Sequence, residues 1–200
     1  VLFRSQMSLN KAERGRKEYI NILSKNAQRL MRLVNELMDF RKAETGSFHL
    51  IVQEKYINDY LEMITNEFHS LAQTNEIHFE IYMDKQYEKV WFDPQLIEKI
   101  FLNLLNNAFK YTKKGGYIEV KVLSEIKRYK SAFANSYTID SGFNGNKYFY
   151  ICIKDDGIGI SKDSIDKVFN HYYQIEDSEH DPHLGSGVGL ALVKSLILLH

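Results

Sequence analysis

The spacing of apolar residues changes abruptly at Gly46, and that change constrains the fold more than any other feature of the chain. Upstream, Ile20, Leu23, Ala27, Leu30, Val34 and Leu37 recur at intervals of three and four, the seam of a helix packed along its length. Met31, Leu33, Met38 and Phe40 widen the stripe beyond what a two-stranded coil uses, which points to a helical bundle. Asn10 followed by Glu13 has the form of a capping box and places a helix start there, while Gly46 is placed to end it. One helix cannot make a bundle, so its partners come from another copy or from other sequence. Residues 1–9 are too short to read alone.

Beyond Gly46 the period alternates between two and 3.6. Phe48, Leu50 and Val52 predict a strand; Tyr60, Leu61, Ile64, Phe68 and Leu71 a helix; Ile77, Phe79, Ile81 and Met83 a second strand. Val90-Trp91-Phe92 is a short apolar run ending at Asp93-Pro94, an N-cap followed by proline at the first helical position. The next helix has core positions Ile97, Phe101, Leu104, Leu105 and Ala108 and is broken at Gly115-Gly116. Ile118, Val120 and Val122, then Phe149, Ile151 and Ile153, give two more strands. The order predicts an α+β sandwich with helices over one face of a sheet. Residues 124–147 lack periodicity and read as a long hairpin connection. Lys127, Arg128 and Lys130 within them read as a solvated face.

Composition closes off several function classes. A 44% hydrophobic content supplies a core, and Lys+Arg and Asp+Glu both number 26, which gives no electrostatic argument for nucleic acid or an anionic membrane. No run approaches the length of a membrane span and no signal peptide is visible, so the chain is expected to be cytoplasmic and without membrane contact. The lone Cys152 can form neither an internal disulfide nor a cysteine-based metal cluster. No two histidines stand at i, i+4 on a helix, which argues against a histidine metal site.

Three stretches carry chemistry. On the helix after Pro94, Asn103, Asn107 and Lys110 fall within about 60° of one another at about 100° per residue, on one edge of the apolar stripe. Asparagine disfavours helix interiors, so two at one-turn spacing call for a reason. An amide oxygen is a neutral ligand for Mg²⁺, an ammonium neutralises phosphate, and Tyr111 offers a ring edge to a base. The strand ending at Asp155 runs into Asp155-Asp156-Gly157-Ile158-Gly159, where a fixed carboxylate can accept from a ligand amine. Gly185, Gly187 and Gly189 precede an apolar helical stretch, an arrangement whose backbone N–H groups can cradle phosphate. Between the last two, residues 174–183 have no core pattern and read as a lid hinged on aromatic anchors.

Together these stretches resemble the sensor histidine kinases. Asn103-Leu-Leu-Asn-Asn107-Ala-Phe-Lys110-Tyr111 is similar to the N box, and Asp155-x-Gly157-x-Gly159 to the G1 box. Phe169 to Tyr173 resembles the F box, and Gly185-x-Gly187-x-Gly189 the G2 box. Residues 26–46 resemble the second helix of the dimerisation and phosphotransfer domain, in wording close to the hybrid sensors of Bacteroidetes. The resemblance implies a partial dimerisation and phosphotransfer domain over residues 1–46. Over 47–200 it implies a Bergerat-type ATP-binding sandwich, C-terminally truncated. It further implies ATP and Mg²⁺ as cofactors, a homodimer formed through the bundle, and a response-regulator receiver as partner. The implied location is the cytoplasmic part of an inner-membrane sensor.

Carried over by motif, Asn107 would coordinate Mg²⁺ and Asn103 would support metal and phosphates. Lys110 would contact phosphate, Tyr111 would lie near adenine, and Asp155 would accept from the adenine amine. Gly157 and Gly159 would allow close approach, and Gly187 and Gly189 would present N–H groups to the phosphates. The implied reaction is γ-phosphoryl transfer to a histidine and thence to a receiver aspartate. None of the seven histidines precedes an acid in a His-Glu-x-x-x-Pro-type stretch, so the acceptor is expected to be absent from this chain. Two alternatives accompany this reading. One is a same-fold ATPase of the topoisomerase, mismatch-repair or chaperone type, which needs a glutamate acting on water, and before Asn103 this chain offers Glu98 and Lys99. The other is a non-catalytic dimerisation module.

Overall fold

The computed structural model describes residues 2–84, 89–123, 149–175 and 187–200. It divides into two compact units, residues 1–41 and 42–200. The predicted 124–147 connection and most of the predicted lid, with Gly185, lie outside the described residues.

Helix α1 spans Leu2–Glu44. It runs straight through Asn10, so the expected helix start there is not seen. Residues 2–9 contain no glycine or proline to stop the helix, and a capping box needs a non-helical first residue. The end falls where the sequence placed it. Gly46 adopts φ +63°, its N–H reaches the Ala43 carbonyl at 3.4 Å, and the Ser47 N–H reaches that of Lys42 at 2.9 Å. These two bonds form a Schellman cap, which needs a left-handed residue. Ile20, Leu23, Leu30, Val34 and Leu37 are exposed.

In the second unit, β1 (Gln53–Lys55) pairs antiparallel with β3 (Val90–Phe92). The other sheet has the order β2-β4-β5, from His78–Met83, Tyr117–Leu123 and Tyr150–Asp155. β2 and β4 run parallel, with His78 opposite Tyr117, and β4 and β5 antiparallel, with Ile118 opposite Asp155. Ile118, Val120 and Val122 are fully buried on one face of β4, and Tyr117, Glu119 and Lys121 alternate onto the other. The helices supply the facing layer of the core: Ile57 and Leu61 from α2 (Ile57–Asn75), Phe101 and Leu105 from α3 (Pro94–Tyr111), Leu192 and Leu196 from α4 (Gly189–Leu199). Each such side chain contributes about 1.5–3 kcal/mol on burial.

The strand expected at Phe48 to Val52 forms later, at 53–55. The reason lies in Asp93. Its Oδ2 accepts the Ile51 N–H at 2.7 Å, which removes that donor from any ladder. Its Oδ1 caps α3 by accepting from Gln95 N (2.9 Å) and Leu96 N (3.1 Å). The Asp93 N–H in turn donates to His200 Nε2 at 3.0 Å, an arrangement open to a neutral ring. Partial burial holds the His200 imidazole below its ordinary pKa and so favours that neutral form. Asp93→Ala should therefore lower stability by about 1–2 kcal/mol from the lost cap alone. A urea midpoint and slope indistinguishable from the parent's would refute that role.

Candidate nucleotide site

Three close approaches between distant parts of the sequence build the site. At the first, the turn after β5 packs on the end of α3. A Cβ on residue 157 would collide with the backbone carbonyl of Tyr111, so only glycine lets this turn close. The glycine's freedom is thus used against protein backbone. At the second, the first turn of α4 lies against α3: a Cβ on residue 189 would stand 2.7 Å from Asn103 Oδ1. At the third, the Tyr172 N–H donates to the Gly187 carbonyl at 2.9 Å. The stretches resembling the N, G1, F and G2 boxes therefore meet in space.

The carboxylate pair divides its work. Asp156 Oδ1 accepts the Tyr117 N–H at 2.7 Å, and the Asp156 N–H donates to the Tyr117 carbonyl at 3.1 Å, which ties the turn to the start of β4. Asp155 Oδ1 accepts from Gly157 N at 3.0 Å, which fixes the carboxylate's orientation. No described residue claims its second oxygen. Sequence alone singled out Asp155; it did not separate the duties of the two acids, because Asp156's partner lies 39 residues away.

Along α3, Asn107 is half-buried, and no described residue holds its amide. Asn103 Nδ2 donates to the Lys99 carbonyl at 2.8 Å, so its side chain is tied back to its own helix. Lys110 folds over its neighbour, with Nζ donating to the Tyr111 hydroxyl at 2.8 Å and lying 4.5 Å from the ring centroid. To meet an anion the ammonium has to swing off this ring, which a flexible lysine stem allows. Gly159 adopts φ +71° in open space beyond the turn.

Glu98, the acid nearest the N-box stretch, is engaged elsewhere. It accepts from the Tyr60 hydroxyl of α2 at 3.2 Å, a hydroxyl that also lies 2.8 Å from the Pro94 carbonyl. Burial and the Glu98 charge push the Tyr60 hydroxyl up to about 12. Nine residues separate Glu98 from Asn107, which is about 180° around the helix. Glu98 therefore faces α2 and away from the edge that carries Asn107.

The described residues suit a nucleotide with a divalent cation: a fixed carboxylate with an oxygen that no described residue claims, an amide on α3 that no described residue holds, and a helix that begins on glycine. Residues 92–200 match the family of histidine kinase-, DNA gyrase B-, and HSP90-like ATPases. The chain belongs to that family. Within it, the sequence is 32% identical over 182 residues to Histidine kinase P4 of Formosa agariphila, covering 90% of this chain and 12% of that protein. The chain thus spans only a small part of that relative. Among solved structures it superposes on full-length ShkA in complex with AMPPNP, with a TM-score of 0.68 at 20% identity over 90% of this chain and 33% of that one. It also superposes on histidine kinase ThkA in complex with the response regulator TrrA, with a TM-score of 0.55 at 19% identity over 79% of this chain and 40% of that one. The chain is thus an ATPase domain of this family preceded by a helix. No helix among the described residues is long and apolar enough to cross a membrane.

Proposed function

We propose that the chain is the catalytic part of a two-component sensor histidine kinase that binds ATP with Mg²⁺ and passes the γ-phosphoryl group to a histidine outside this sequence. The observation that supports the reading is that the turn after Asp155 and the first turn of α4 both pack on α3, the helix that carries Asn107, through the Tyr111–Gly157 and Asn103–Gly189 approaches. Asp155 accepts from the adenine amine, Asn107 offers its oxygen to the cation, Lys110 reaches phosphate, and Tyr111 lies beside the base. Gly187 and Gly189 present backbone N–H groups to the phosphates, and Gly185, by its place in the same glycine-rich sequence, is assigned to the cofactor with them. Bound Mg²⁺ supplies charge that offsets the build-up on the transferred phosphoryl group. Titration with an ATP analogue, with and without Mg²⁺, tests the reading. Absence of binding under both conditions would overturn it.

Water-directed ATPase chemistry is disfavoured by the engagement of Glu98 with Tyr60 on the far side of α3. Position 103, one turn before Asn107, carries an amide, which cannot take a proton from water.

Residues 1–46 belong to a dimerisation and phosphotransfer domain, residues 47–200 to the catalytic domain, and the receiver domain of a response regulator is the downstream partner. The exposed stripe from Ile20 to Leu37 supports a homodimer, since such a length of apolar helix is costly to leave in water. Light scattering should show a dimer or a larger species. A clean monomer at high micromolar concentration would sink this part of the proposal. The whole protein is proposed to be an inner-membrane sensor with this part in the cytoplasm.

A further inference from the structure

We propose that Asn103 is a positioning residue for the phosphate end of the nucleotide site, and that it works by fixing where α4 begins. This inference rests on the nucleotide reading above. The Asn103 amide is held from one side by its bond to the Lys99 carbonyl, at 2.8 Å. Its oxygen faces the other way, onto the first residue of α4. A Cβ on Gly189 would stand 2.7 Å from that oxygen and 3.8 Å from Cγ. Cβ–oxygen contacts below about 3 Å are not tolerated without displacement. Asparagine has only two side-chain torsions, and the Lys99 bond constrains both, so α4 has to move.

The placement of α4 matters because its first turn carries donors that its own sequence leaves uncapped. The N-cap position is Val188, whose side chain has no acceptor. The first N–H groups of a helix have no intrahelical partner, and the Val188 side chain does not cap those of α4, so an anion can be their acceptor. An amide oxygen against this turn also complements the positive end of the helix dipole. Val188, Ala191 and Leu192 are buried, which seats α4 firmly once its start is set. Asn103 and Asn107 lie one turn apart on the same edge of α3. A single rigid helix thus carries both the spacer that sets the α4 donors and the amide offered to the cation. Asn103 supports the phosphates through α4, and Gly189 is required as the gap that admits the amide.

A double-mutant cycle on the full 200-residue chain tests this. Parent, Gly189→Ala, Asn103→Ala and the double variant are compared for ADP and AMP affinity by displacement of a fluorescent ATP analogue. The ADP-to-AMP ratio reports the second phosphate and is insensitive to a general loss of folded protein. Gly189→Ala should lower that ratio about 10-fold, and Asn103→Ala should lower it less, because it removes the spacer without a clash. The double variant should match Asn103→Ala within about 2-fold, because the added methyl then has room. If Gly189→Ala does not fold, the comparison of Asn103→Ala with the double variant decides. A further loss of about 5-fold or more on adding Gly189→Ala to Asn103→Ala overturns the proposal, as does an equal fall in ADP and AMP affinity. A parent chain that binds neither nucleotide refutes the nucleotide reading itself.

Discussion

Calorimetric titration of Asp155→Ala with ADP and Mg²⁺ should give an affinity about 10- to 100-fold below the parent's, corresponding to about 1–3 kcal/mol. The carboxylate is oriented by the Gly157 N–H at 3.0 Å, so its remaining oxygen is fixed before ligand arrives and little ordering is needed on binding. Removing it leaves a buried ligand amine without its charged partner. Asp156→Ala provides the contrast. Its carboxylate serves the Tyr117 N–H at 2.7 Å, so the expected result is lower thermal stability with nucleotide affinity changed by less than about 3-fold. Adenine nucleotides should also outcompete guanine nucleotides, because a carboxylate cannot accept from the carbonyl that guanine presents at the same position. Equal affinities for Asp155→Ala and the parent would remove the adenine assignment.

These two neighbouring acids also show what was legible in the sequence. The D-x-G-x-G pattern named the turn and picked out Asp155, because strand alternation up to Ile153 and the glycines after it are local signals. The division of labour was not legible. It depends on β4 and β5 pairing with Ile118 opposite Asp155, which brings Tyr117 to Asp156. The pattern assigns Gly157 to close approach of a ligand, but its missing side chain makes room for the Tyr111 carbonyl, 46 positions earlier. Asp93-Pro94 and Gly46 were placed correctly because caps are set by a few adjacent residues. Asn10 and the strand at Phe48 failed for opposite reasons. Asn10 has the letters of a cap inside an unbroken helix. The Phe48 alternation is present, but the Ile51 N–H goes to a side chain 42 residues away. Local chemistry travels with the sequence, and long-range donors and acceptors do not.

Incubated with γ-labelled ATP and Mg²⁺, the chain should acquire no acid-labile, base-stable phosphate. Phosphoryl transfer needs an acceptor nitrogen in line with the γ-phosphate at near-attack distance, and a neighbouring acid to orient the imidazole. None of the seven histidines is followed by an acid in a His-Glu-x-x-x-Pro-type stretch; His180 precedes Asp181, but Pro182 follows at once. His200 is committed through Nε2 to the Asp93 N–H. His180 and His183 fall outside the described residues. His171 is the strongest competitor, because it is exposed and directly precedes Tyr172, whose N–H joins the F-box turn to Gly187. Yet it lies inside the domain that would hold the nucleotide, and its chain neighbours are Asn170 and Tyr172, neither of which is an acid. If the proposed reading holds, adding a separate polypeptide that carries an acceptor histidine on a bundle-type helix should give label, all of it on the added piece. The exposed stripe from Ile20 to Leu37 gives that piece a surface to dock on. Label that maps to His171 in the chain alone would overturn the assignment of the acceptor to another segment. It would make this domain its own substrate.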